Sequence, residues 1–226
     1  MSHQENITRI RAVRNALGDL KNDVVFVGGA TVSLYTDRRT EDVRPTDDID
    51  VVIELWAYKD YALIEERLRK LGFVNDQESR VICRYTINGI TVDIMPTYKE
   101  AIGFSNRWYP AGFSSAISYD IGDGNIRIFQ SPYFIASKLE AFKSRGANDG
   151  RTSTDFEDII FVLENNSQIW EEMERAEEDV RQYLKDTFQE MLSTIHFEEW
   201  VNAHAGYGTT PATNYILERL KEFVNP

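Results

Sequence analysis

Three aspartates and a glycine pair are the residues of this chain best suited to do chemistry. Asp48 and Asp50 stand two residues apart at the mouth of an apolar run, DIDVVIE, so on an extended strand both side chains point to one face. Asp93 lies inside a second apolar run, ITVDIMP, which should neighbour the first in a sheet. An ionised carboxylate buried alone is costly, and packing like charges together raises the cost. Such clusters persist where a divalent cation neutralises them. Mg2+ favours a few carboxylates, retained waters and substrate phosphates over a closed protein cage. In a two-metal site one ion activates the attacking oxygen and the other stabilises the leaving phosphate oxygen. Gly28 and Gly29 supply the complement, because they sit between the β-branched run VVFV and the segment ATVSLYTD. Without a Cβ, their backbone N–H groups can approach a phosphate at a helix N-terminus. Each feature has a plainer reading: a structural turn for the glycines, strand-end solvation for Asp48 and Asp50, a cross-strand ion pair with Arg84 for Asp93. Their order along the chain favours a metal-and-phosphate site. Asp47 points to the opposite face and reads as a surface or turn residue.

These residues need a sheet to gather them. Ile7, Ile10, Val13, Leu17 and Leu20 recur at three- and four-residue steps and predict an opening amphipathic helix. VVFVGG reads as a buried strand ended by a turn, ATVSLYTD as a helix directly after it, and DIDVVIE as a central strand. Tyr58 to Leu71 reads as a helix stopped at Gly72. VICRYTI and ITVDIMP flank Asn88–Gly89, the pair suited to the positive φ angles of a type I′ hairpin turn. A second hairpin, SAISYDI and NIRIFQ, surrounds Gly122–Asp123–Gly124. After Pro132 the pattern turns helical. One helix carries Ile135, Leu139 and Phe142, and another carries Phe156, Ile159, Ile160 and Leu163. A single long helix is expected from Ile169 through Met191, with an acidic outer face. Short helices around Phe197–Ala203 and Tyr215–Val224 close the chain. The fold class expected is α+β, a mixed sheet with helices over residues 1–130 followed by a helical region over 131–226 that completes a nucleotide cleft.

The chain has 226 residues and a net charge of −12, which argues against a large indiscriminate nucleic-acid surface. Residues 165–200 hold ten acidic against three basic residues, so most of the excess charge sits there and a local basic cleft stays open to the rest. No apolar run approaches the roughly 20 residues needed to span a bilayer. A single cysteine, Cys83, excludes an internal disulfide framework and suits a reducing cytoplasm.

The stretches FVGGATVSLY, PTDDIDVVIE and ITVDIMP resemble the nucleotidyltransferase signature of the DNA-polymerase-beta-like superfamily: a glycine pair, then two aspartates separated by a hydrophobic residue, then a third acid. That resemblance implies NTP as substrate and Mg2+ or Mn2+ held by Asp48, Asp50 and Asp93, with Gly28 and Gly29 at the phosphates. Asp48 and Asp50 would hold the ion that bridges the phosphates, and Asp93 would help bind a second. Many members carry Ser as the second residue of the pair where this chain has Gly29. Further on, KLEAFKSRGANDGRTSTDFEDIIFVL resembles a stretch of AbiEii-type nucleotidyltransferases, which often act as toxins in toxin–antitoxin or phage-defence systems. It implies Lys138 near the nucleotide phosphates and Asp155 or Asp158 as a later functional acid. It also implies a tRNA or protein acceptor and a cognate antitoxin as partners. A small-molecule, antibiotic-type acceptor is the alternative, which acidic composition suits because cationic drugs favour acidic clefts. A nucleotide-binding module without turnover is another. On plainer readings Lys138 is a solvated helix residue, and Asp155 and Glu157 only cap a helix begun at Ser153 or Thr154. His3, His196 and His204 lack catalytic company. Trp56, Trp108, Trp170 and Trp200 read as packing residues, with Trp108 in a loop that could border a base pocket.

Overall fold

A computed structural model describes residues 2–37, 43–55, 58–79, 81–103, 105–145, 149–207 and 210–225. Two compact units emerge, Met1–Leu34 with Glu41–Gln130, and Tyr35–Thr40 with Ser131–Pro226.

The first unit is built on one mixed sheet. Its strands are β1 (Val24–Val27), β2 (Asp48–Ile53), β3 (Val74–Asn75), β4 (Arg84–Ile87), β5 (Ile90–Pro96), β6 (Ile117–Asp120) and β7 (Asn125–Ile128), in the order β3-β4-β5-β2-β1-β7-β6. β2 runs parallel to β5 and antiparallel to β1, and β1 runs parallel to β7. All four residues of β1 are buried, which is why that strand reads as unbroken apolar sequence rather than as alternation. The hairpin of β4 and β5 turns at Asn88 (φ 51°) and Gly89 (φ 77°), as the residue pair predicts. The second hairpin joins β6 to β7, with positive φ at Gly122 and Gly124. Helix α1 (Ser2–Ala16) packs on β2 and β5, burying Ile7, Ile10 and Val13. α2 (Tyr58–Lys70) and α3 (Tyr109–Ser114) complete this unit.

The helix expected directly after the glycines is present. Gly29–Tyr35 forms a 3-10 segment rather than an α-helix. It opens with an i→i−3 bond at Thr31, whose amide donates to the Gly28 carbonyl at 3.2 Å and whose hydroxyl donates to the same oxygen at 2.9 Å.

The second unit is helical, with α4 (Ser131–Ser144), α5 (Thr154–Asn165), α6 (Ile169–Glu174), α7 (Glu178–Leu192), α8 (Phe197–His204) and α9 (Thr210–Val224). Phe156 centres its core, meeting the rings of Phe142, Phe197 and Trp200. The single long helix expected from Ile169 to Met191 is two helices. Arg181 sits where it can accept the break, donating to the carbonyls of Glu174 (3.2 Å) and Ala176 (3.4 Å) that the interrupted ladder releases. Met173 and Val180 stay buried on either side, so the apolar stripe runs through the break unmarked. No helix among the described residues is long and apolar enough to cross a membrane.

Candidate active site

The sheet brings the three aspartates to one face. Asp48 and Asp50 alternate with buried Ile49 on β2, and Asp50 pairs in parallel register with Asp93 on β5. Across the next ladder Asp93 pairs with Arg84 of β4, which places the guanidinium on the same face. Arg84 Nε donates to Asp93 Oδ1 at 2.8 Å, and one terminal nitrogen donates both to Asp93 Oδ2 at 2.8 Å and to Asp48 Oδ2 at 3.1 Å. The fork therefore engages both oxygens of Asp93, which is only 7% exposed. The hydrogen bond to Asp93, despite opposing desolvation, raises the pKa of Arg84 above its already high ordinary value. Among the described residues no three Asp, Glu, His or Cys side chains close around a common point as metal ligands would. The all-oxygen donor set still suits Mg2+ or Mn2+. Three carboxylates, with Arg84 among them and Arg44 at the adjoining turn, keep this face net negative, which a divalent ion would offset.

The glycine turn lies against these carboxylates. Gly28 has φ 74°, and a Cβ built on it would lie 1.9 Å from Asp50 Oδ2. The carboxylate thus occupies the volume that any side chain at position 28 would need. A Cβ on Gly29 would lie 2.6 Å from a terminal nitrogen of Arg44 and 2.8 Å from Thr46 Cγ2. Arg44 is a cation at this turn that sequence reasoning passed over, since RRTEDVRPT reads only as a polar connection; its place just ahead of the paired aspartates was the available signal. The segment entering β2 is fastened from α1, where Arg9 donates to the Thr46 carbonyl. Thr46 Oγ1 in turn donates to the Asp48 carbonyl at 3.2 Å.

In the second unit the structure gathers the other predicted residues. Lys138 of α4 lies 3.1 Å from Asp155 Oδ1 and 2.6 Å from Asp158 Oδ2, both on α5, and all three are buried. Arg145 reaches the remaining Asp155 oxygen at 2.5 Å. The solvated reading of Lys138 is therefore wrong: two carboxylates on successive turns of α5 hold its ammonium. Ser153, not Asp155, caps α5 by accepting from the Phe156 amide. Asp155 and Asp158 engage the same cation, so both belong to one cluster.

No family model matches the chain, and no curated protein matches it. Solved structures do. An antigenic nucleotidyltransferase-like protein from Paracoccidioides brasiliensis superposes with a TM-score of 0.50 at 16% identity, over 90% of this chain and 94% of that one. The antibiotic-resistance factor ANT(2'')-Ia, solved in solution, gives 0.51 at 18% identity, over 84% of this chain and 96% of that one. The fold is that of nucleotidyltransferase-like proteins.

Around this nucleotidyltransferase-type sheet, the other reactive side chains have structural partners. Cys83 is buried, and its thiol is pushed up to about 12, first by burial and then by the Asp93 charge, which makes it a poor nucleophile. His3 Nδ1 lies 2.7 Å from Ser33 Oγ, and His204 Nε2 lies 2.8 Å from the Gly150 carbonyl. Trp108, Trp170 and Trp200 are buried, whereas Trp56 lies outside the described residues.

Proposed function

We propose that this chain is a divalent-metal-dependent nucleotidyltransferase that moves NMP from an NTP to a hydroxyl acceptor and releases pyrophosphate. The reading rests on one observation above the others: Asp48, Asp50 and Asp93 share a face of two adjacent strands, with Gly28 tight against Asp50. Asp48 and Asp50 would hold Mg2+ or Mn2+. Bound there, the ion would withdraw charge from the phosphates and acidify the acceptor hydroxyl. Gly28 and Gly29 let the Asp50 carboxylate and the Arg44 guanidinium close on the turn, where Arg44 would add positive charge for phosphate oxygens. Lys138, by the resemblance of its surroundings to AbiEii-type enzymes, would stabilise charge on the nucleotide, with Asp155 or Asp158 as the later acid. Positioning and electrostatics, rather than covalent chemistry, are what such residues supply.

The acceptor is either a macromolecule, tRNA or protein, as the AbiEii resemblance suggests for a toxin or phage-defence enzyme with a cognate antitoxin, or a small hydroxylated molecule. The likeness to an antibiotic-resistance factor supports the second. A module that binds nucleotide without turnover draws support from Arg84, which already neutralises Asp93. Pyrophosphate release with each NTP and Mg2+ or Mn2+, in the presence of total tRNA or an aminoglycoside, tests the three together. Metal-dependent release that Asp48→Ala/Asp50→Ala loses is the expected outcome, and labelled nucleotide then marks the acceptor. Nucleotide binding without release under every condition would favour the module. Absence of both binding and release would overturn the site.

A further inference from the structure

We propose that Arg84 is a resident counter-cation at the carboxylate face, standing where a second divalent ion would otherwise sit, so that the site takes one ion through Asp48 and Asp50. The inference rests on the metal reading of those two residues given above, and it replaces the expectation that Asp93 ligates a second ion.

The geometry carries it. Both oxygens of Asp93 accept from one guanidinium at 2.8 Å, a fork in which two parallel charge-assisted bonds fix both partners. Each Asp93 oxygen keeps a second lone pair, but an ion bound there would sit beside the Arg84 guanidinium, whose like charge opposes it. The backbone offers no escape. Arg84 and Asp93 are register partners in a hairpin closed by a two-residue turn, so the pair cannot slide apart without unzipping β4 from β5. The same guanidinium reaches Asp48, bridging β4 to β2 across β5. Only one Asp48 oxygen takes part in that bridge, and the Asp50 carboxylate lies toward Gly28 on the far side of the face from β4.

The test counts ions rather than turnover. Mn2+ bound per chain would be measured by the electron paramagnetic resonance of free Mn2+ and by calorimetry, on wild type, Arg84→Met, Arg84→Lys, Asp93→Asn and Arg84→Met/Asp93→Asn. Wild type should bind one Mn2+, lost in Asp48→Asn/Asp50→Asn. Asp93→Asn and Arg84→Lys should still bind one. Arg84→Met should gain a second Mn2+, bound at least about tenfold more tightly than any second ion in wild type. The double variant should lose that gain. Two ions in wild type, falling to one in Asp93→Asn, would overturn the proposal, as would a folded Arg84→Met that still binds one. If Arg84→Met fails to fold by circular dichroism, the Asp93→Asn count decides alone. Absence of any Mn2+ binding that depends on Asp48 and Asp50 would instead overturn the metal reading on which the inference stands.

Discussion

Gly28 and Gly89 both hold positive φ, yet their surroundings make them unequal. A methyl group at position 89 meets nothing within 4 Å, so Gly89→Ala faces only the left-handed backbone, a cost of about 1–2 kcal/mol. At position 28 the same backbone cost is joined by a collision with Asp50, whose carboxylate must move. Gly28→Ala is therefore expected to destabilise by at least about 3 kcal/mol and to abolish the metal-dependent reaction, whereas Gly89→Ala keeps it. Urea unfolding beside a pyrophosphate assay separates the two. Cys83 gives a pH-dependent counterpart. Its thiol is raised from 9.0 to about 12, chiefly by burial, so the folded state holds the proton more tightly than the unfolded chain. The stability this contributes is whole below pH 9 and is lost as pH rises toward 12. Cys83→Ala should accordingly flatten the alkaline fall in the urea midpoint. In wild type, alkylation by iodoacetamide at pH 8 should stay slow until denaturant is added.

Between α4 and α5, the Lys138 cluster tests how burial weights an ion pair. Lys138→Met removes the ammonium shared by Asp155 and Asp158, both at most 3% exposed, leaves Arg145 on Asp155, and is expected to cost about 3–5 kcal/mol. Arg145→Ala removes a partner whose side chain is 70% exposed and should cost under about 1 kcal/mol, readable as a shift in thermal midpoint. At this same scale the sequence was only partly legible. β1, β2 and β5 could be read because central strands need continuous apolar runs, and the turn between β4 and β5 because Asn88–Gly89 is a local signal. The Arg84–Asp93 pair was visible as an alternative, since the hairpin sets its register. The 3-10 form of the segment after Gly29 was not, because apolar spacing over seven residues cannot separate a 3-10 from an α-helical turn. Nor was the break between α6 and α7, across which the apolar stripe continues. Arg44 over Gly29 and Lys138 among the α5 carboxylates depend on contacts 15 to 20 residues apart, and no local pattern announces such contacts.

For the molecule as a whole, the net charge of −12 bears on which acceptor can reach the site. A field of that sign accelerates the approach of cations and slows that of anions, and added salt screens both effects within a Debye length of about 8 Å at physiological ionic strength. The sign of the salt response therefore reports whether the acceptor's charge is opposite to the field it meets at the site. With NTP and metal held saturating, kcat/KM for a polycationic acceptor such as an aminoglycoside should fall several-fold as ionic strength rises from about 20 to about 300 mM. For tRNA the long-range contribution has the opposite sign, and kcat/KM should hold steady or rise. A steep fall with tRNA would instead require several phosphates to be neutralised at a basic strip, since each released counterion adds to a negative salt slope. Total charge would then be misleading, because a local cluster of Lys and Arg would govern the approach. Charge reversal can locate the field. The acidic excess lies in residues 165–200, on the helices from α6 to α8. Glu171→Lys/Glu174→Lys should flatten the salt response to the cationic acceptor if that surface steers it. An unchanged response would assign the steering to the carboxylate face itself, where the charge left after Arg84 is still negative.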